Sequence, residues 1–380
     1  MASKRLSLLK SKYPWLKSPY IINGPMAAFA TGPLAAAVTS AGGFGMIGST
    51  PGTKDMSDLH ASISHARDLL RSQPQHQHTN ATTSSSHNDS GEPLPIGIGF
   101  LCFMHKPADV LPLIQKHNPA VVWLFGCPTP ADYAAWTSAI RSASSAAIWI
   151  QTGNVASALE IAQKARPDVL VAQGTDAGGH GLANSAGVIS LVPEVRAALD
   201  AAGFAEMPVM AAGGIADGRG VAAALALGAD GVVMGTRFLA SEEVKVPHPA
   251  FREAIVGAKD GGVSTARNTT FDEMRPQGNN WPLVYDGRGL KSQSLTDVQG
   301  GMGLEEARKK IEDAKKGDDG GFGYDSKVVG GSGRGLVWAG TGVGLVKKVQ
   351  KAGEIVEEVR EEAVKILRET TGRFGADSKI

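Results

Sequence analysis

The segment Asp168-Val169-Leu170-Val171-Ala172-Gln173-Gly174-Thr175-Asp176-Ala177-Gly178-Gly179-His180-Gly181 decides how this chain is read. Its first half is a short apolar run of the kind buried on both faces of a parallel sheet. Its second half abandons packing, because an amide, a carboxylate, a glycine pair and an imidazole follow one another. Gly178 and Gly179 let the backbone approach a ligand and leave His180 unshielded. A glycine-rich turn with an incidental histidine is the plainer alternative, since the chain has nine histidines.

Two later segments weigh against that alternative. Pro208-Val209-Met210-Ala211-Ala212-Gly213-Gly214-Ile215 and Gly231-Val232-Val233-Met234-Gly235-Thr236-Arg237-Phe238 are both apolar runs closed by glycine. A helix-like Gly218–Leu227 separates them, with Asp217 placed as its N-cap. In a (β/α)8 barrel, the loops after the last two strands and a short extra helix bind phosphate through backbone N–H groups. A side chain there would hold the phosphate away. Tight turns account for glycine in one loop, not for side-chain-poor loops after both strands.

Composition agrees. With 380 residues the chain exceeds the roughly 250 typical of such a barrel, leaving room for an appended subdomain. Hydrophobic residues make up 42% and charged residues 20%, which supports a large core. A net charge of +1 gives no reason to expect nucleic acid or an anionic membrane as partner. The two cysteines, Cys102 and Cys127, sit at the ends of predicted strands, so a reducing compartment fits better than a disulfide framework. There is no signal-peptide core and no apolar run long enough for a bilayer, so a cytoplasmic protein is expected.

Strand-like and helix-like segments alternate through the first two-thirds. The strands read as Tyr20–Asn23, Gly45–Gly48, Pro95–Leu101, Ala120–Phe125, Ala147–Gln151, Asp168–Gln173, Pro208–Ala212 and Gly231–Gly235. Eight strands with helical crossovers predict an α/β fold, a (β/α)8 TIM barrel over residues 1–258. The polar stretch 72–92 reads as a flexible surface insertion on the face away from the strand C-termini. Its His76, His78 and His87 have nothing to fix a coordination geometry, so no metal site is expected. Residues 259–380 read as a lid followed by a C-terminal helix that packs back on the barrel, with Ile355, Val359, Ala363, Val364 and Leu367 along one stripe. A peripheral dimerisation element is the alternative for this tail, and a homodimer is left open.

Gly43-Phe44-Gly45-Met46-Ile47-Gly48 matches the G-x-G-x-x-G dinucleotide pattern, but here a helix precedes the glycines and a strand contains them. The order is inverted, and a Rossmann site is rejected.

Taken together, five motifs in order resemble the nitronate monooxygenase family, formerly 2-nitropropane dioxygenase. They are Ile22-Asn23-Gly24-Pro25-Met26, Gly42 to Gly48, Ala172 to Gly181, Ala211 to Gly220, and Met234-Gly235-Thr236-Arg237-Phe238. The resemblance covers Tyr20 to about Glu243, and more loosely Gly335 to Leu367. It implies a barrel that binds FMN. Gly24, Pro25 and Met26 would lie against the isoalloxazine edge, and Gln173 would hydrogen-bond the flavin's polar edge or ribityl chain. Gly178 and Gly179 would let the ring and phosphate arm pass. Gly213, Gly214, Gly235 and Thr236, with Met234 beside them, would hold the 5′-phosphate. His180 resembles the family's catalytic base. Asp176 stands where the family often has Glu, Gly97 to Cys102 where it often has an Asn near the flavin, and Thr341 where it often has Gln.

The implied activity is oxidation of a nitronate or nitroalkane by O2 to a carbonyl compound and nitrite, using a histidine base and one-electron flavin chemistry. One alternative is an NAD(P)H-dependent FMN reductase of quinones or enoyl thioesters on the same barrel. Another, of a different class, is a flavin-binding protein without turnover. The terminus Ser378-Lys379-Ile380 lies one residue from the peroxisomal S-K-L, which sets a peroxisomal address beside the cytosol.

Overall fold

The computed structural model describes residues 2–49, 56–72, 91–316 and 333–373. The polar insertion is described only at its two ends. Residues 73–90, with His76, His78 and His87, lie outside the described residues, as do the terminus Ser378-Lys379-Ile380 and any address it carries.

Eight parallel strands form the centre: β1 (Ile21–Asn23), β2 (Gly45–Gly48), β3 (Leu94–Leu101), β4 (Pro119–Phe125), β5 (Ala147–Thr152), β6 (Val169–Gln173), β8 (Val209–Ala212) and β9 (Gly231–Met234). They pair in the order β1-β9-β8-β6-β5-β4-β3-β2. Parallel bridges Ile22 to Phe44 and Ala27 to Gly48 bring β1 back to β2 and close the barrel. The fold is the expected TIM barrel, and the glycines around Gly45 lie in a strand behind a helix, as the inverted order required.

Strand alternation builds two cores. In β5, Ala147 and Trp149 face the barrel interior, while Ile148 and Ile150 face the helices. In β6, Val169 and Val171 face in and Leu170 and Ala172 face out. Continuing the same period places Gln151 and Gln173 inward at the C-terminal end. Two apolar layers therefore give way to amides where the barrel opens.

The lower mouth is sealed by a helix, Ala2–Lys12, absent from the sequence reading. Leu9, Tyr13 and Leu16 join the interior cluster, and Trp149 Nε1 donates to the Tyr13 hydroxyl at 3.1 Å. Burial raises the Tyr13 phenol well above its ordinary range, so it stays a neutral acceptor.

The long C-terminal helix, Ala352–Arg373, packs between the outer helices Gly218–Ala226 and Gly32–Ser40, where the barrel's eighth helix belongs. Ile355, Val359 and Ala363 are buried there, and Glu362 Oε2 accepts from Gly218 N–H at 2.7 Å. Asp217 caps the Gly218–Ala226 helix through Gly220 N–H, as read. The chain between β9 and that last helix covers the C-terminal mouth. It contributes β10 (Thr265–Asn268) and β11 (Tyr285–Leu290), and β11 pairs antiparallel with both β10 and β7 (Gly179–Leu182). A small core of Phe271, Met274, Leu295, Ala307 and Ile311 holds this cover together. Among the described residues no helix is long and apolar enough to cross a membrane.

Candidate active site

A cavity of about 690 Å³ opens at the strand C-termini, within the size range of small-molecule sites. Its floor is Trp123, Gln151, Gln173, Ala212 and Val233, the inward residues of successive strands. Gly24, Pro25 and Met26 form one wall. Pro25 sits directly over β3, where a Cβ at Gly99 would come within 2.4 Å of the Pro25 ring. Glycine at the third-strand end thus makes room for the first loop.

Gly213, Gly214, Gly235 and Thr236 line the cavity together. The backbone N–H groups of Gly213, Gly214 and Gly235 donate to no acceptor among the described residues. Gly213 and Gly214 have φ of 108° and 73°, so glycine is required there by the backbone itself. Backbone N–H groups left without a protein partner on cavity-lining glycines suit an anionic group. Met234 departs from its implied role. Alternation turns Val233 inward and Met234 outward, so the Met234 side chain packs among the helices. Its carbonyl accepts the Gly24 N–H at 3.0 Å, which holds the first loop to the eighth parallel strand.

Gln173 carries two hydrogen bonds. Its Oε1 accepts from Gln151 Nε2 at 2.7 Å, and its Nε2 donates to the His180 carbonyl at 2.7 Å. One proton and one lone pair of the amide remain for a ligand. Gly178 and Gly179 also line the cavity, and they serve different purposes. A Cβ on Gly178 would strike the cover at Ala339, 2.5 Å from its carbonyl carbon. A Cβ on Gly179 would meet nothing, but its φ is 71°.

His180 lies in β7, opposite Gly287 of β11. Its Nε2 is 2.8 Å from Asp272 Oδ2, and the two side chains are 10% and 1% exposed. The Trp281 ring stacks on the imidazole, and the Trp338 ring lies 4.7 Å away on another side. Asp176 Oδ1 accepts from the Thr341 hydroxyl at 3.0 Å, and Thr236 Oγ1 accepts from Gly340 N–H at 3.0 Å. These two bonds tie the cover to the barrel. At the far edge the Tyr285 hydroxyl donates to the Cys127 carbonyl at 2.8 Å. Burial pushes the Cys102 thiol up, so it offers no thiolate nucleophile.

The model of the nitronate monooxygenase family matches residues 11–362. The chain belongs to that family. It is therefore an oxidoreductase. It is 39% identical to a nitronate monooxygenase of Metarhizium robertsii, over 94% of this chain and 95% of that one. It is 36% identical to a nitronate monooxygenase of Neurospora crassa, over 95% and 93%. Among solved structures, FabK from Thermotoga maritima superposes with a TM-score of 0.70 at 26% identity, covering 96% of this chain and 98% of that chain. A nitroalkane oxidase from Streptomyces ansochromogenes gives a TM-score of 0.65 at 23% identity, covering 96% and 100%, which speaks to the fold.

The structure brings all the sequence-derived site residues to one cavity except Met234. It adds Asp272, Trp281 and Arg275, which the sequence reading missed. The sequence carries no signal for Asp272, which stands beside Glu273 in the polar, charged stretch Thr269-Thr270-Phe271-Asp272-Glu273-Met274-Arg275.

Proposed function

We propose that this enzyme binds FMN and oxidises nitronates, and nitroalkanes after deprotonation, to a carbonyl compound and nitrite with O2. The observation that carries this reading is His180, backed by a buried carboxylate, on the wall of a cavity whose other end presents unpaired backbone N–H groups. Those groups fit a phosphate, and the apolar walls with two amides at the floor fit a flat heteroaromatic ring. Gly213, Gly214, Gly235 and Thr236 would hold the phosphate, with Gln173 and the Gly24–Met26 backbone along the ring. FMN when bound supplies the electron-accepting chemistry. The protein's own residues do the rest. His180 accepts the α-proton of a neutral nitroalkane, Trp281 and Trp338 keep water from the imidazole, and the ties at Asp176 and Thr236 hold the cover down.

An enoyl reductase domain of 11% identity shares the fold, so architecture alone does not separate oxidation from reduction. Aerobic turnover separates them. Purified protein should release FMN on acid treatment, and with nitronate it should consume O2 and form nitrite. NADH or NADPH oxidation with a quinone or enoyl thioester, without nitrite from nitronate, would overturn the reading. Flavin bound with no turnover in either assay would identify a non-catalytic flavin protein.

A further inference from the structure

We infer that Asp272 is a positioning residue that fixes the tautomer of His180, and that Nδ1 of His180 takes the substrate proton. The inference rests on the proposed reaction only in naming the proton's source. Oδ2 of Asp272 faces His180 Nε2 at 2.8 Å, and Oδ1 faces Arg275 Nη1 at 3.3 Å. A carboxylate has only acceptors to offer, so the imidazole must place its N–H on Nε2. That leaves the lone pair on Nδ1. This nitrogen has no hydrogen-bond partner among the described residues, on a side chain that lines the cavity.

The ring cannot easily turn over to exchange its nitrogens. Trp281 lies parallel to one face, with centroids 3.9 Å apart and planes 12° off, and the Trp338 ring lies 4.7 Å away on another side. Glycine at 287 keeps this packing open, since a Cβ there would lie 3.3 Å from Nε2 and 2.6 Å from the Trp338 ring. The backbone is held as well, through β11 pairing and the Gln173 bond to the His180 carbonyl.

The step balances without a co-reactant. The α-C–H bond of the nitroalkane breaks, its electron pair moves into the nitro group to give the nitronate, and the proton goes to Nδ1. The Nε2–H stays on its nitrogen, hydrogen-bonded to Asp272, which stabilises the imidazolium without taking the proton. A third group that orients a base is the general logic of activated sites.

Asp272→Asn tests this in the flavin-loaded protein. Arg275 would claim the amide oxygen, so the new NH2 would face Nε2 and drive the proton to Nδ1. We expect kcat/KM for a neutral nitroalkane to fall about a hundred- to ten-thousand-fold, with a preformed nitronate changed only a few-fold. Asp272→Glu should restore part of the loss. Nitrogen-15 spectra of histidine-labelled protein, at a pH above the imidazole range, should show His180 as the Nε2–H tautomer in the native chain and Nδ1–H in Asp272→Asn. His180→Asn identifies the resonance. An Nδ1–H tautomer in the native chain, or equal losses on nitroalkane and nitronate, would overturn the inference. Should the Asn variant fold poorly, the native tautomer decides alone. Native protein inactive on nitroalkane and nitronate alike would instead overturn the proposed reaction, leaving the tautomer measurement intact.

Discussion

Trp281 lies flat against His180, ring centroids 3.9 Å apart, although one comes from the cover and the other from the edge of the barrel. The stack makes the imidazole a shared part of both layers. It limits water at the base and presents an indole face to the ring once it carries a proton. Trp281→Ala should therefore lower kcat/KM for a neutral nitroalkane by up to about tenfold, the scale of one aromatic pair. Trp281→Phe should retain most of it. Steady-state rates at fixed flavin occupancy check this, and no difference between Ala and Phe would show that the stack does nothing for the base.

Gly178 makes a second prediction about the same junction. Its missing side chain is where Ala339 and Gly340 cross, so Gly178→Ala must push the cover outward. Overpacking of this kind costs about 1–3 kcal/mol. Flavin affinity and nitroalkane KM should both worsen, roughly ten-fold for each 1.4 kcal/mol expressed there. Gly303→Ala, where an added methyl meets nothing, is the matched control. Flavin titration of the two variants measures the difference.

Most of the barrel was legible because each strand is a contiguous apolar run ended by glycine or a polar residue. Seven of the outer helices lie between those runs. The polar layer was harder. His180 and Asp272 are 92 residues apart and meet only through β7, β10 and β11. β11 reads Tyr-Asp-Gly-Arg-Gly-Leu, in which glycines and charges erase the alternation that marks a strand. Its partner β7, Gly-His-Gly-Leu, reads as a loop for the same reason. Period-two alternation from Val233 already turns the Met234 side chain away from the cavity. Helix Ala2–Lys12 has a weak, lysine-interrupted pattern, and its purpose appears only when a barrel mouth needs closing.

His117 gives the fold a dependence on pH. Its side chain is buried, and its Nε2 lies 2.7 Å from His60 Nδ1. Burial first, then the Arg67 guanidinium, His60 and Lys116, push its pKa down from 6.5 to about 4. The unfolded chain thus takes up this proton before the folded one does as pH falls. The contribution is intact above about 6.5, is lost progressively between about 6.5 and 4, and does not change further below. With allowance for solvent near the ring, the loss is on the order of 1–2 kcal/mol. Denaturation midpoints for the native chain and His117→Gln, compared across that window, should converge as pH falls. Parallel curves would mean that His117 titrates alike in both states.

Arg5 and Asp230 predict the strongest purely structural effect. Arg5 Nε lies 2.9 Å from both Asp230 oxygens, Nη1 donates to the Ala205 carbonyl at 3.2 Å, and Asp230 Oδ2 also accepts Val209 N–H at 3.0 Å. The side chains are 6% and 2% exposed, so neither charge has water to fall back on. The pair pins the N-terminal helix under the barrel at the starts of β8 and β9. Removing one partner strands the other, at about 3–5 kcal/mol. Asp230→Asn should lower the unfolding free energy from denaturant titration by that amount, while Arg5→Met with Asp230→Asn should recover part of it, because no buried cation is then left unpaired. The pair lies at the opposite end of the strands from the cavity, so turnover per flavin should stay at the native level. A loss of unfolding free energy below about 1 kcal/mol for Asp230→Asn would mean that water reaches the pair and that the helix is held by its apolar face alone.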